Sequence, residues 1–153
     1  MTVLTYTLGV LLFAVGVAAS IGLHEAGHLI PGKLYDVKVT SAQSKKRADG
    51  KWDVTLEVDA RKLYADGKGV ETETPLDEAF DVGVFTAEPG KKEFTRASVL
   101  SMGREHVHTG KQTLTIVVDQ EPKFAGVDPY NKYVDRNADD NVQPVEKGSH
   151  TSG

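Results

Sequence analysis

The sequence predicts a single N-terminal transmembrane α-helix followed by a mainly antiparallel β-sandwich. Three observations carry this reading. Residues 2–23 contain no charged side chain. All 18 Lys and Arg, and 21 of the 22 Asp and Glu, fall after position 32, so Glu25 is the only formally charged side chain before it. From Lys51 onward, apolar residues recur at every second position, the period of a half-buried strand.

The helix comes first. At roughly 1.5 Å per residue, the 22 positions from Thr2 to Leu23 span about 33 Å, against a bilayer core of about 30 Å. A buried helix in a soluble domain would carry a polar face, and this segment has none. A secretory signal would open on Lys or Arg, which residues 1–6 lack, although Val17-Ala18-Ala19-Ser20 has the small side chains of a cleavage site. Lys33, Lys38, Lys45, Lys46 and Arg47 follow the span, and no basic side chain precedes it. The positive-inside rule then predicts a single-pass protein of the cell membrane with its N-terminus outside.

Pro31-Gly32 ends the helical pattern, placing the transmembrane segment at residues 1–32. Residues 33–40 alternate and suit the start of a strand, while Ser41 to Gly50 is polar and lysine-rich. Together, 33–50 read as a linker. The β-domain is expected over 51–146. Trp52, Val54, Leu56 and Val58 alternate with polar neighbours, and Leu114, Ile116 and Val118 do the same within Gln112–Asp119. Further strands are expected at Arg61–Ala65, Val70–Thr74, Ala79–Thr86, Glu93–Val99 and Arg104–His108. Turns are expected at Asp66-Gly67, Pro89-Gly90 and Thr109-Gly110. About seven short strands at this spacing describe an immunoglobulin-like sandwich. Residues 147–153 read as a flexible tail.

Composition narrows the function classes. A net charge of −4 argues against nucleic acid as a partner. No cysteine is present, so thiolate chemistry and disulfides are excluded and a metal must be held by His and carboxylates.

One motif carries chemistry. His24-Glu25-Ala26-Gly27-His28 places two imidazoles one helical turn apart on the same face, the spacing that binds one Zn²⁺. Glu25, about 100° round the helix, stands where a general base reaches a metal-bound water. The bland alternative is polar residues at headgroup depth. A His-Glu-His cluster at the end of a lipid-spanning helix is costly, which favours a role.

Residues 1–40 resemble the N-terminal helix of actinobacterial site-2 proteases, which are intramembrane zinc metalloproteases. The likeness rests on Leu8-Gly9-Val10-Leu11-Leu12-Phe13 and on the run from Ala19 through the motif to Val39-Thr40. It implies His24 and His28 as zinc ligands and Glu25 as catalytic base. Site-2 proteases continue with a Gly-Phe-Gly-containing stretch, where this chain has Ser41-Ala42-Gln43-Ser44-Lys45. Their third ligand is an Asp of a later membrane helix, and no second apolar span occurs here. Asp49 and Asp66 stand in polar turns, and the downstream Glu of soluble zinc peptidases falls at Arg47. A catalytic zinc needs three protein ligands and an open position. Two are identified.

Residues 51–146 resemble the C-terminal β-domain of bacterial ABC-type permease and aminopeptidase fusion proteins. The likeness runs through Trp52 to Gly67, Glu71 to Asp77 and Gln112 to Asp119. It continues in Gly126-Val127-Asp128-Pro129-Tyr130-Asn131-Lys132, Asp135-Arg136-Asn137 and Asp139-Asp140-Asn141-Val142. It implies a binding or packing module with no catalytic residue. The two resemblances disagree on topology, since the first places the β-domain in the cytoplasm and the second outside it.

Three lesser signals remain. His106 and His108 share one face of a strand, either as metal donors or as exposed residues of an edge. Asp135 to Glu146 has the oxygen spacing of a Ca²⁺ loop, but lacks its sixth-position glycine and reads more simply as a polar turn. Lys45-Lys46-Arg47 is placed to meet anionic headgroups or to lie in a solvated linker. The leading expectation is a membrane-anchored, zinc metallopeptidase-like protein that needs a third ligand from another chain or from further sequence. Its partners would be the lipid bilayer and another membrane protein chain or a membrane-embedded peptide substrate. The alternative is a catalytically inactive, membrane-tethered β-sandwich binding module. A secreted sandwich released by signal cleavage is the third.

Overall fold

The computed structural model describes residues 3–28, 32–66 and 68–148, with the side chains of 26–28 outside that description. The chain divides into two compact units, residues 1–32 with 64–72, and residues 33–63 with 73–153.

In the first unit, α1 runs Val3–His28 without a break. It is apolar all round. Val3, Leu4, Leu8, Leu11, Leu12, Phe13, Val15 and Leu23 are all exposed, and none of its most apolar stretch is buried. The segment Val3–Glu25 is long and apolar enough to cross a bilayer, a property that a signal sequence shares. The other part of this unit is a turn. Asp66 Oδ1 accepts hydrogen bonds from the backbone N–H groups of Lys68 (2.9 Å) and Val70 (2.7 Å). Gly69 supplies a positive φ there, as the expected turn requires. Gly67 lies outside the described residues.

Nine strands occur among the described residues, against about seven expected. They are β1 (Gly32–Lys46), β2 (Trp52–Ala65), β3 (Glu71–Thr74), β4 (Asp77–Phe85), β5 (Val99–His108), β6 (Gly110–Val118), β7 (Phe124–Val127), β8 (Val142–Pro144) and β9 (Glu146–Lys147). A five-stranded sheet has the order β3-β2-β1-β9 with β6 also paired to β2, and a four-stranded sheet has the order β5-β4-β7-β8. The ladders of β2 with β6 and of β4 with β5 and β7 are antiparallel. The short β1–β9 contact is parallel.

The two sheets share one core. Val37 and Val39 of β1, Val54, Leu56 and Val58 of β2, Phe80, Val82 and Val84 of β4, and Val127 of β7 are buried in it. These side chains remove apolar area from water at about 25 cal/mol per Å², the main favourable term for such a domain. Phe80 also packs on Tyr35 and Tyr133 at ring-centroid distances of 5.7 and 4.4 Å, tying β1, β4 and the loop after β7 together.

Several expectations are corrected. The stretch 33–50 is a strand and a hairpin turn rather than a linker: β1 buries Tyr35, Val37, Val39, Ala42 and Ser44. Arg47 N donates to Lys51 O at 2.8 Å, and Gly50 turns at φ +85°. The polar appearance of 41–46 arises because Gln43, Lys45 and Lys46 face outward while small Ala42 and Ser44 face inward. Arg61–Ala65 belongs to β2. Residues 93–98 form no strand: Thr95 N donates to Ser98 Oγ (3.1 Å), Ser98 N donates to Thr95 O (2.9 Å), and a 3-10 turn forms at Arg96–Ser98. Lys147 and Gly148, expected in the tail, are tied in, with Gly148 N donating to Ser44 O at 2.9 Å; residues 149–153 lie outside the description.

The Asp-rich stretch after β7 is made of side chains that cap backbone. Buried Asp128 accepts from Lys132 N (3.0 Å) and Tyr133 N (2.9 Å). Asp135 accepts from Val37 N (3.2 Å) and Asn137 N (3.0 Å). Burial pushes the Asp135 carboxyl up, and those two amides pull in the opposite direction. Both Asp135 oxygens are aimed at N–H groups, and the stretch from 135 to 146 is a polar turn followed by β8 and the start of β9 rather than a Ca²⁺ loop.

Candidate metal centre

Uninterrupted helix through residue 28 puts His24 and His28 four residues apart, about 6 Å along the axis and roughly 40° round it. This is the arrangement in which two imidazoles share a metal. His24 and Glu25 are exposed, whereas the side chain of His28 lies outside the described residues. The helix therefore supplies the backbone spacing of a two-histidine site with Glu25 on the adjoining face. Among the described residues, no group of three or more His, Asp or Glu side chains is arranged around a metal position.

Both rejected aspartates are engaged within their own turns. Asp49 accepts from Lys51 N at 3.1 Å and pairs with Arg47 at 3.2 Å. Asp66 holds its own turn. Arg47, where a soluble zinc peptidase would have its glutamate, pairs with Asp49 and Asp53. Lys46 stacks its ammonium over the Trp52 ring at 5.7 Å. Lys46 and Arg47 are thus engaged at the far end of β1, about 40 Å of strand from Lys33.

Two clusters in the β-unit join residues distant in the chain; of their members, sequence reading had singled out only the pair His106 and His108. In the first, Tyr35 Oη donates to Glu78 Oε2 at 2.7 Å and Lys62 Nζ donates to Glu78 Oε1 at 2.5 Å. These bonds, that from Lys62 first, hold the Glu78 carboxyl below its ordinary value. The group joins β1 and β2 of one sheet to β4 of the other. In the second, His106 and His108 of β5 both meet Asp77 of β4. The hydrogen bond with His106 lowers the Asp77 carboxyl. The expected exposure of the two histidines on an edge strand is what the structure has.

Comparison with known proteins adds no relative: no protein-family model, no curated protein and no solved structure matches the chain.

Proposed function

We propose that the chain is a membrane-tethered binding module, an immunoglobulin-like β-sandwich held at the bilayer by α1, with its N-terminus outside. The observation that supports this most is the contrast between the two units. Every described apolar side chain of α1 is exposed, whereas the β-unit buries a continuous core of its own. An apolar surface of that size is unfavourable in water and favourable in hydrocarbon. Lys33 and Lys38, directly after the helix, favour the cytoplasmic side for the β-unit. Alkaline carbonate extraction tests the anchor: the full-length protein is expected in the membrane pellet. Release into the supernatant, or a mature N-terminus that begins after residue 19, overturns it in favour of a cleaved signal.

A second reading is favoured by the four-residue spacing of His24 and His28 on continuous helix. In it, the two imidazoles ligate Zn²⁺, Glu25 is the general base, and the protein is metallopeptidase-like, as the likeness to site-2 proteases implies. Hydrolysis then requires a third ligand from another membrane chain or from sequence outside this one. Zinc retained by detergent-purified protein through gel filtration is expected to fall by one equivalent in His28→Ala. Equal content in the two proteins removes the metal from this helix.

A further inference from the structure

The outward surface of the four-stranded sheet carries a group that neither reading above uses. His106 and His108 leave the same face of β5, while Val107 between them points into the core at 0% exposure. The β4–β5 register sets Asp77 directly opposite His108 and Ala79 opposite His106, so Asp77 lies on that same face. The Nδ1 atom of His106 is 3.0 Å, and that of His108 3.3 Å, from one and the same oxygen, Asp77 Oδ1. The two rings stand 6.4 Å apart and within 29° of parallel. All three side chains are about two-thirds exposed, and β5 is the edge strand of its sheet.

We propose that Asp77, His106 and His108 form a surface site for a divalent first-row transition metal ion such as Zn²⁺. Two neutral imidazoles and a carboxylate are a ligand set this ion takes readily, with water completing the shell. In a tetrahedral shell with bonds of about 2.0–2.1 Å, neighbouring donor atoms stand about 3.3 Å apart. Both nitrogen-to-oxygen separations are already near that value. As they stand, His106 hydrogen-bonds Asp77, His108 lies 3.3 Å from the same oxygen, and the three side chains do not enclose an ion. Binding requires the two rings to turn toward each other, and both are about two-thirds exposed. The strands fix the rest, because the register holds all three Cα–Cβ bonds on one face. The Arg104 guanidinium donates to Ala79 O at 2.8 Å, opposite His106, and lies 3.8 Å from Asp81. From β6, Gln112 bonds the His108 backbone N–H and C=O, not its ring.

The test uses the full chain in detergent with His24→Ala, His28→Ala and His150→Ala combined, which removes the other three of the five histidines. Zn²⁺ is titrated against a chromophoric chelator, and Co²⁺ absorption reports the shell. One equivalent is expected to bind. Adding His106→Ala or His108→Ala should weaken binding by at least the 10–100-fold that even supporting groups around a metal are worth. Asp77→Asn should weaken it severalfold. Far-UV circular dichroism should remain unchanged throughout, since all three positions are exposed. No binding up to about 1 mM zinc, equal affinity after both histidines are removed, or equal affinity in Asp77→Asn overturns the site.

Discussion

Replacing Tyr35 with Phe removes one oxygen from the polar cluster that joins the two sheets and leaves the packing in place. The Tyr35 ring is buried and packs edge-on against Phe80 at 5.7 Å and Tyr133 at 5.0 Å, contacts a Phe ring retains. What is lost is the 2.7 Å hydrogen bond to Glu78. A hydrogen bond to a charged partner contributes about 1.5–3 kcal/mol. The Glu78 side chain is 28% exposed, so water replaces part of the lost donor. The expected cost at pH 7 is therefore about 1–2 kcal/mol. Its pH dependence has a definite sign. Lys62 and then Tyr35 lower the folded-state pKa of Glu78, so its stabilisation is present above the unfolded value near 4.3 and is lost as pH falls through the folded value. The difference between Tyr35→Phe and wild type should be full at neutral pH and shrink below about pH 4. Urea denaturation of the detergent-solubilised protein, followed by fluorescence of Trp52, the only tryptophan, measures it. With a slope of about 1–3 kcal/mol per molar, the midpoint should drop by roughly 0.5–1 M at pH 7. A gap of the same size at pH 3 and pH 7, or none at pH 7, would refute the charged hydrogen bond as its source.

Other substitutions probe the sandwich. A Cβ added at Gly126 of β7 would stand 2.4 Å from Asn141 O and 2.8 Å from Val142 Cα, both backbone atoms of the adjoining chain. Gly126→Ala should therefore cost about 1–3 kcal/mol, whereas Gly103→Ala on β5, with open space around its Cβ, should stay within about 0.5 kcal/mol. Equal effects in urea melts would mean that β7 and the segment before β8 are not so close. Leu56→Ala empties a fully buried position shared by the two sheets and should cost about 2–5 kcal/mol, read as a lower thermal midpoint. A loss under 1 kcal/mol would place Leu56 outside the core.

Much of the fold is written locally. Trp52 to Val58 and Gln112 to Val118 alternate so regularly that β2 and β6 are legible before any pairing is known. β1 is not, because its inward residues at 42 and 44 are Ala and Ser, and an alternation without apolar contrast looks like a linker. Strands β7, β8 and β9 span four, three and two residues, too few to establish a period. At residues 95–98 the hydroxyls of Thr95 and Ser98 favour a local turn over the extended chain that their neighbours suggest. The metal motif shows the same division. His24, Glu25 and His28 are visible because helix spacing is a property of adjacent residues, whereas the third ligand that hydrolysis would require would come from a distant segment and leave no local trace.

By itself, the sequence determined the apolar helix, its two-histidine end and the inward faces of the long strands. Each depends on a periodicity that a few consecutive side chains express, and the burial of apolar surface enforces it wherever the segment lies. Only the tertiary structure decided that Asp77 faces His106 and His108, that Glu78 draws in Tyr35 and Lys62, and that Asp135 caps the amide of Val37. Backbone N–H and C=O groups are alike in every strand, so a ladder can form between any two extended segments. Which two become neighbours is selected by how all the side chains fill one core together.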